Sequence, residues 1–409
     1  MTFSKVKKIL FSSIFKNFSS LASGEIISKG ILFLVVVYLA RVLGPENFGK
    51  LGFAQAFLSY FGLIVNLGLD VYGAREIARD KTRAKELLNN IIAMKVLLFI
   101  LTYILLFIIV SLLPKDLLTK KVILIYGLTL FTTALTIDWF FQGFENFKAI
   151  AVGRIIRNLV YATLVILFVR HKDQVLDAVF FQICGAVVSV LVLWSLVLEY
   201  FDLKQINFSK WKEYGKIGII LGSSFFMISI YYNLDKLMIG FWYPDKYVGW
   251  YDAAYRVVMI SLMLSSLLWS TFLPKIARWE KVLFIFVKTM LGVGFSLFLI
   301  LYFFNSYIIR FLFGESYLYA SKALMILAFN VFLVYVNISF VSPLTVWNRE
   351  RVYFLVIASG ALTNLILNFL LIPKYDIIGA SIATVMAELS VFIFGFPIFL
   401  KMVRKHYVI

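Results

Sequence analysis

Thiols and imidazoles are almost missing from this chain, which has one cysteine, Cys184, and two histidines, His171 and His406, among 409 residues. A lone cysteine excludes an intramolecular disulfide. Both histidines stand at the edges of apolar runs, so a His/Cys metal site has no material to form from, and no metal is expected. Acidic residues are scarce too: 22 Asp and Glu face 40 Lys and Arg, a formal net charge of +18. Such an excess on a soluble domain would point to nucleic acid, but the polar stretches are too short to build one, so no nucleic-acid partner is expected. A nucleophile–base constellation, a Gly-rich phosphate loop and an acidic metal motif are likewise absent. The sequence therefore offers no catalytic residue and no cofactor, and it does not read as an enzyme. The start of the chain, Lys5 to Lys16, lacks the apolar core and small-residue cleavage site of a signal peptide. Its lysines and apolar residues fit a short amphipathic helix on the cytoplasmic membrane surface.

What the chain has in abundance is apolar length. Hydrophobic residues make up 62% of it and the mean hydropathy is +0.92, well above the roughly 45–50% usual for soluble domains. A hydrocarbon core of roughly 30 Å needs about 20 helical residues, and a spanning segment must satisfy its own backbone polar groups. Twelve runs meet that length, near 19–42, 49–71, 87–113, 121–143, 150–170, 174–200, 214–240, 248–273, 282–304, 319–346, 351–372 and 377–401. The expected fold class is an all-α polytopic membrane protein.

Basic residues set the orientation. With the N-terminus inside, the cytoplasmic segments hold about 22 Lys and Arg and the opposite side about 11, the bias of the positive-inside rule. Both termini are thus expected in the cytoplasm, with the basic flanks on anionic lipid head groups. The longest polar stretch falls at the midpoint, giving a six-helix lobe over 1–200, a cytoplasmic linker at 201–213 and a second lobe over 214–409. The halves carry a faint repeat: Gly44-Pro45-Glu46-Asn47-Phe48-Gly49 joins helices one and two, and Pro244-Asp245-Lys246-Tyr247-Val248-Gly249 joins seven and eight. Each places Pro, an acid, an aromatic and Gly in the same order, with one extra residue in the second. Repeated lobes around a central cavity that opens to one side at a time are a transporter architecture.

The first hairpin, Ala40-Arg41-Val42-Leu43-Gly44-Pro45-Glu46-Asn47-Phe48-Gly49 with Phe53-Ala54, resembles that of bacterial polysaccharide-repeat-unit flippases (the Wzx type, of O-antigen and capsule assembly). Gly68 to Arg79, Asp235-Lys236 with Gly240, Val248 to Arg256 and Phe272 to Lys275 are similar to later parts of the same proteins. The resemblance spans essentially the whole chain. It implies the multidrug/oligosaccharidyl-lipid/polysaccharide exporter fold and a place in the cytoplasmic (inner) membrane. It also implies transport of an oligosaccharide on undecaprenyl pyrophosphate, in the company of the polymerase and other glycan-assembly membrane proteins, with H⁺ or Na⁺ as a coupling ion. One departure is visible: the connection from Pro274 to Val282 is shorter than in such flippases, which puts this chain's cytoplasmic gating contacts in question.

Ionisable residues within the spans are the candidate site, because each is costly there unless it meets a cavity or a partner. Lys29, Lys95, Arg154, Arg157 and Lys288 lie in the cytoplasmic halves of their helices, where a sugar pyrophosphate enters. Guanidinium forks and ammonium groups both suit phosphate oxygens. The competing uses are snorkelling for the arginines, Lys95 and Lys288, and an ion pair with Glu25, one turn earlier, for Lys29. Lys236 and Arg256 have Asp235 and Asp252 as candidate partners. Asp138 with Trp139 and Gln142 forms a polar–aromatic group suited to a sugar. The carboxylates Glu388, Glu25 and Asp235 are candidates for the coupling ion. The amides Asn233, Asn330, Asn337, Asn364 and Asn368 suit sugar hydroxyls or interhelical hydrogen bonds. Trp242, Tyr243, Trp250 and Tyr251 read as an interfacial belt.

Three other readings compete with the flippase: an exporter of another lipid precursor or a small drug, a membrane polysaccharide polymerase or ligase, and a channel. A polymerase or ligase needs a large outer loop, and the outer loops here are short. No re-entrant filter segment marks a channel.

Overall fold

The computed structural model describes residues 3–276 and 281–406, with side chains over 27–223, 233–276 and 282–404. Among the described residues all regular structure is helical. The helices are α1 (Phe3–Asn66), α2 (Leu69–Arg79), α3 (Ala84–Leu112), α4 (Leu117–Gly127), α5 (Thr129–Leu135), α6 (Asp138–Gly143), α7 (Phe147–Phe168) and α8 (Val175–Ser195). They continue as α9 (Phe208–Trp242), α10 (Asp245–Ile276), α11 (Lys281–Phe303), α12 (Asn305–Phe313), α13 (Ala320–Phe340), α14 (Pro343–Val346) and α15 (Glu350–His406).

Nine helical stretches among the described residues are long and apolar enough to cross a membrane. Two of them are bent where the sequence places a junction between spans. In α1 the bend is at Gly44 (φ 71, ψ 170), a conformation open to glycine, and Pro45 follows, pre-set for the first position of a new helix. In α15 the bend is at Tyr375 and Asp376 (φ 47), where the Asp376 carboxylate accepts from the Ile378 amide at 3.2 Å. The amphipathic face expected for Lys5 to Lys16 and the short connection at 277–280 lie outside the described side chains.

The surface of α3 shows which solvent the chain is built for. Leu97, Ile100, Leu101, Ile104, Leu105, Phe107 and Ile108 are all exposed along it. In water that stripe would be an aggregation site; against acyl chains it is the solvated face. The protein is a multi-pass membrane protein. Buried faces use small and amide residues instead. On α13 these are Ala320, Ala323, Ala328, Asn330 and Asn337, as expected where packing must do what the hydrophobic effect does in water.

By packing, the chain divides into two compact units: Met1–Leu43 with Ala54–Ile230, and Gly44–Phe53 with Tyr231–Ile409. In the first, α7 packs on α8, α2 on α6, and α3 on α5; in the second, α13 lies against α10, α11 and α15. The division by packing thus falls inside α9, beyond the polar stretch at 201–213. Two adjacent asparagines account for this. Asn89 donates to the Tyr200 carbonyl and accepts from the Asp202 amide, both at 2.8 Å. Asn90 donates to the Gln205 carbonyl at 2.8 Å and accepts from the Asn207 amide at 2.7 Å. The connection is therefore fixed to α3 by four hydrogen bonds, each replacing a backbone bond to water. Lys85, 3.1 Å from Asp202, adds an exposed ion pair and holds that carboxyl below the usual carboxylate range.

Candidate functional site

In the first unit, four of the basic and acidic candidates converge with one residue the sequence did not mark. Leu67 and Gly68 both take positive φ and end α1, which sets Asp70 in the first turn of α2. Its carboxylate meets Lys95, a fully buried lysine on α3, at 2.8 Å. Lys95 also donates to the Thr136 carbonyl at 3.3 Å, and Asn66 donates to the other Asp70 oxygen at 2.6 Å. Burying an ammonium is tolerable only with such partners. Lys95 is thus neither snorkelling nor free: it is anchored.

Asp138 opens α6 and accepts from the Arg154 Nε on α7 at 3.3 Å. Arg157, one turn further along α7, acts electrostatically on the same carboxylate, as Asp70 does. Three cations and two carboxylates therefore share this region, leaving one positive charge in excess. Asp138 and Arg154 are half-buried, and Arg157 is exposed. The group expected around Asp138 is only partly assembled. Trp139 is fully buried, its ring against Gly73, where an added Cβ would lie 2.4 Å away. It cannot offer a face to a sugar. Gln142 is exposed at the end of α6. Lys29 and Lys288 are exposed on α1 and α11, whereas the Glu25 side chain lies outside the described residues.

In the second unit the buried carboxylates Asp235 and Asp252 stand on neighbouring helices. Asp252 on α10 is fully buried and takes both cations: Arg256 Nε at 3.0 Å and the Lys236 ammonium on α9. Asp235, one residue before Lys236, takes neither. Successive residues on a helix point about 100° apart, and here Asp235 and Lys236 turn to different partners. Asp235 accepts instead from the Tyr251 hydroxyl at 2.7 Å, the Thr384 hydroxyl at 3.0 Å and the Asn368 amide, which also donates to Asn364 at 3.0 Å. Its partners among the described residues are neutral. The Asn368 carbonyl oxygen beside it is buried without a partner. Glu388 on α15 accepts from the Asn337 side-chain amide at 2.6 Å.

Comparison with known proteins places the family and the fold. The family described as "Polysaccharide biosynthesis protein" matches residues 14–280. The chain belongs to that family. It is 25% identical to a protein of Escherichia coli (strain K12) provisionally named an O-antigen transporter, over 87% of this chain and 89% of the relative. Its fold is similar to that of a lipid II flippase, MurJ, in an inward closed conformation, with a TM-score of 0.76 and 16% identity over 94% of this chain and 87% of the other. It is also similar to an inward-facing multidrug resistance transporter of the MATE family in the MOP superfamily, with a TM-score of 0.67 and 14% identity over 93% and 96%. The resemblance read from the first hairpin and the helices that follow it is thereby borne out at the level of family and fold.

Tyr251, which the sequence suggests as part of an interfacial belt, is instead fully buried on Asp235. Asp70 escaped notice because it stands at the end of an expected span; Gly68 two residues before was the available signal of a break. Thr384 carries no signal of its own in the sequence.

Proposed function

We propose that this protein is a flippase that carries an oligosaccharide linked to undecaprenyl pyrophosphate from the cytoplasmic to the outer leaflet of the cytoplasmic membrane. Transport runs by alternating access, with both termini inside. Membership of the polysaccharide biosynthesis family, a relative named for O-antigen transport and a fold shared with a lipid II flippase support this reading. The observation that carries it is the group of Asp70, Lys95, Asp138, Arg154 and Arg157, a cluster with excess positive charge set among apolar helices. Arg154 and Arg157 receive the pyrophosphate, whose charge their guanidinium forks match. Lys95 and Asp70 hold the helices that present them. Asp138 and Gln142 are placed to meet sugar hydroxyls, and exposed Lys29 and Lys288 draw the anionic head group in. The lipid tail stays in the bilayer. No bond is made or broken, so the protein acts as a transporter and not as an enzyme.

Coupling runs through Asp235. A carboxylate whose partners are neutral, next to an unpartnered buried amide oxygen, can take up a proton or a sodium ion where a cation-paired carboxylate cannot. Hard oxygen donors suit either ion.

The test is deletion of the gene followed by labelling of the lipid-linked sugar. Accumulation on the cytoplasmic face of the membrane is expected. Accumulation on the outer face would mean that a later step, such as polymerisation, had been lost, and would refute the reading.

A further inference from the structure

Three short stretches of the second unit meet through aromatic side chains. Tyr243 follows α9, Tyr247 and Trp250 lie in the first turns of α10, and Tyr319 stands just before α13. Ring centroids are 5.0 Å apart for Tyr243 and Tyr247, 5.0 Å for Tyr247 and Trp250, and 4.8 Å for Trp250 and Tyr319. Residues of an interfacial belt turn their polar tips to water and head groups. Here three tips are tied to the protein instead. The Tyr243 hydroxyl donates to the Pro373 carbonyl at 3.0 Å, the Trp250 indole to the Ser316 carbonyl at 2.8 Å, and the Tyr319 hydroxyl to Asp376 at 2.9 Å. All four residues are half-buried. On α12, by contrast, Tyr307 is 67% and Phe311 64% exposed, as a bilayer-facing aromatic should be. Tyr243 and Trp250, expected in a belt, belong to a fixed floor.

Two lysines lie on that floor. The Lys246 ammonium is 5.7 Å from the Tyr247 ring centroid and 5.5 Å from that of Trp250, and the Lys322 ammonium is 5.2 Å from that of Tyr319. Among the described residues neither is in an ion pair. The acids close by in the chain are engaged elsewhere: Asp245 with Lys50 at 3.3 Å, Glu315 with Arg310 at 2.7 Å, and Asp376 with the Tyr319 hydroxyl and the Ile378 amide. A ring face attracts an ammonium without supplying a counter-charge. It fixes where the cation sits and leaves the charge available. Each lysine also stands in the first turn of its helix, α10 or α13, where the dipole opposes a cation. For stability alone an acid or a neutral residue would suit those turns better.

We propose that Lys246 and Lys322 form a second phosphate site, on the outer side, which takes the pyrophosphate of the transported lipid as its head group is released. The site rests on the flippase reading and the orientation given with it, which places the end of α9, the start of α13 and the bend in α15 outside. The choice of lysine fits that task. Guanidinium forks such as those of Arg154 and Arg157 grip phosphate in a bidentate way, whereas an ammonium acts as a point charge. A release site must let go. An ordinary anionic phospholipid offers the same phosphate chemistry, but rings whose tips are turned into the protein are not set for a bilayer.

Amine acetylation read by peptide mass spectrometry resolves the site. Lys322 is exposed, and exposed Lys172, between α7 and α8, serves as the reference. Purified protein in nanodiscs of neutral phosphatidylcholine is acetylated alone or with a short-prenyl, pyrophosphate-linked disaccharide. That probe should protect Lys322 severalfold relative to Lys172. The same disaccharide without pyrophosphate, and a short-chain phosphatidylglycerol, should not. Absence of protection would overturn the site; equal protection by phosphatidylglycerol would reduce it to a lipid contact and overturn it as well. In proteoliposomes, Lys246→Gln with Lys322→Gln should slow flipping of a pyrophosphate-linked oligosaccharide lipid severalfold at equal protein content. Lys246→Arg with Lys322→Arg, which keeps both charges, should flip faster than the Gln pair. A Gln pair at the parental rate, or equal loss in both pairs, would overturn the release role. Protection of Lys322 in a parent protein that does not flip the lipid would instead count against the flippase reading and leave the phosphate site standing.

Discussion

Asp235 and Asp252 are both buried in the second unit, on neighbouring helices, and their surroundings differ in kind. Asp252 holds two cations; Asp235 holds hydroxyls and an amide. A carboxylate between Lys236 and Arg256 is tied to two half-buried positive charges, and giving up either one is costly. A carboxylate among neutral donors has no such constraint and can change its occupant as the protein moves. On the proposed coupling role, one is part of the frame and the other a working part.

The comparison breaks most visibly at Asp252. Asp252→Asn takes from Lys236 and Arg256 the carboxylate they share, and loss of one partner from a buried ion pair costs about 3–5 kcal/mol. The variant should disappear from the membrane fraction, or melt far below the parent in a detergent thermal-shift measurement. Normal abundance and stability would show that Asp252 is not the anchor described here. Asp235→Asn keeps the size of the side chain and most of its hydrogen bonds. It should accumulate at parental levels while export of the labelled glycan falls at least tenfold, as read by surface glycan per protein molecule. Asp235→Asn that exports normally would remove the coupling role. A smaller effect is expected at Asn368→Ala, which takes away one donor to Asp235 and the unpartnered oxygen together. Transport in proteoliposomes should then need a severalfold steeper proton or sodium gradient to reach the same rate. Whichever gradient shows the shift identifies the coupling ion.

Much of this was legible in the sequence, and the unread part has a common cause. Apolar length fixes where spans lie, and Gly44-Pro45 announces the bend in α1, because few residue pairs stop one helix and start another so cleanly. The Arg256–Asp252 pair follows from helical spacing alone. Tertiary partnerships do not. Lys95 could snorkel or pair by its position in the chain, and only the break at Leu67–Gly68 brings Asp70 to it. Lys236 had two carboxylates in reach by number and one by direction. The connection at 201–213 reads as a loose polar tether, yet Asn89 and Asn90 bond it to α3 through ordinary amides that have no signature. Trp139, next to Asp138, looked like a sugar platform and is core, since Gly73 leaves it a slot.

The central claim is that a positively biased site in the first unit carries an anionic head group across the membrane. Its most direct test is flipping by purified protein in proteoliposomes, using a fluorescent pyrophosphate-linked oligosaccharide lipid whose exposure a membrane-impermeant quencher reports. The parent protein should expose the inner-leaflet lipid, and Arg154→Ala with Arg157→Ala should cut the rate at least tenfold at equal protein content. Equal rates in parent and double variant would contradict the account.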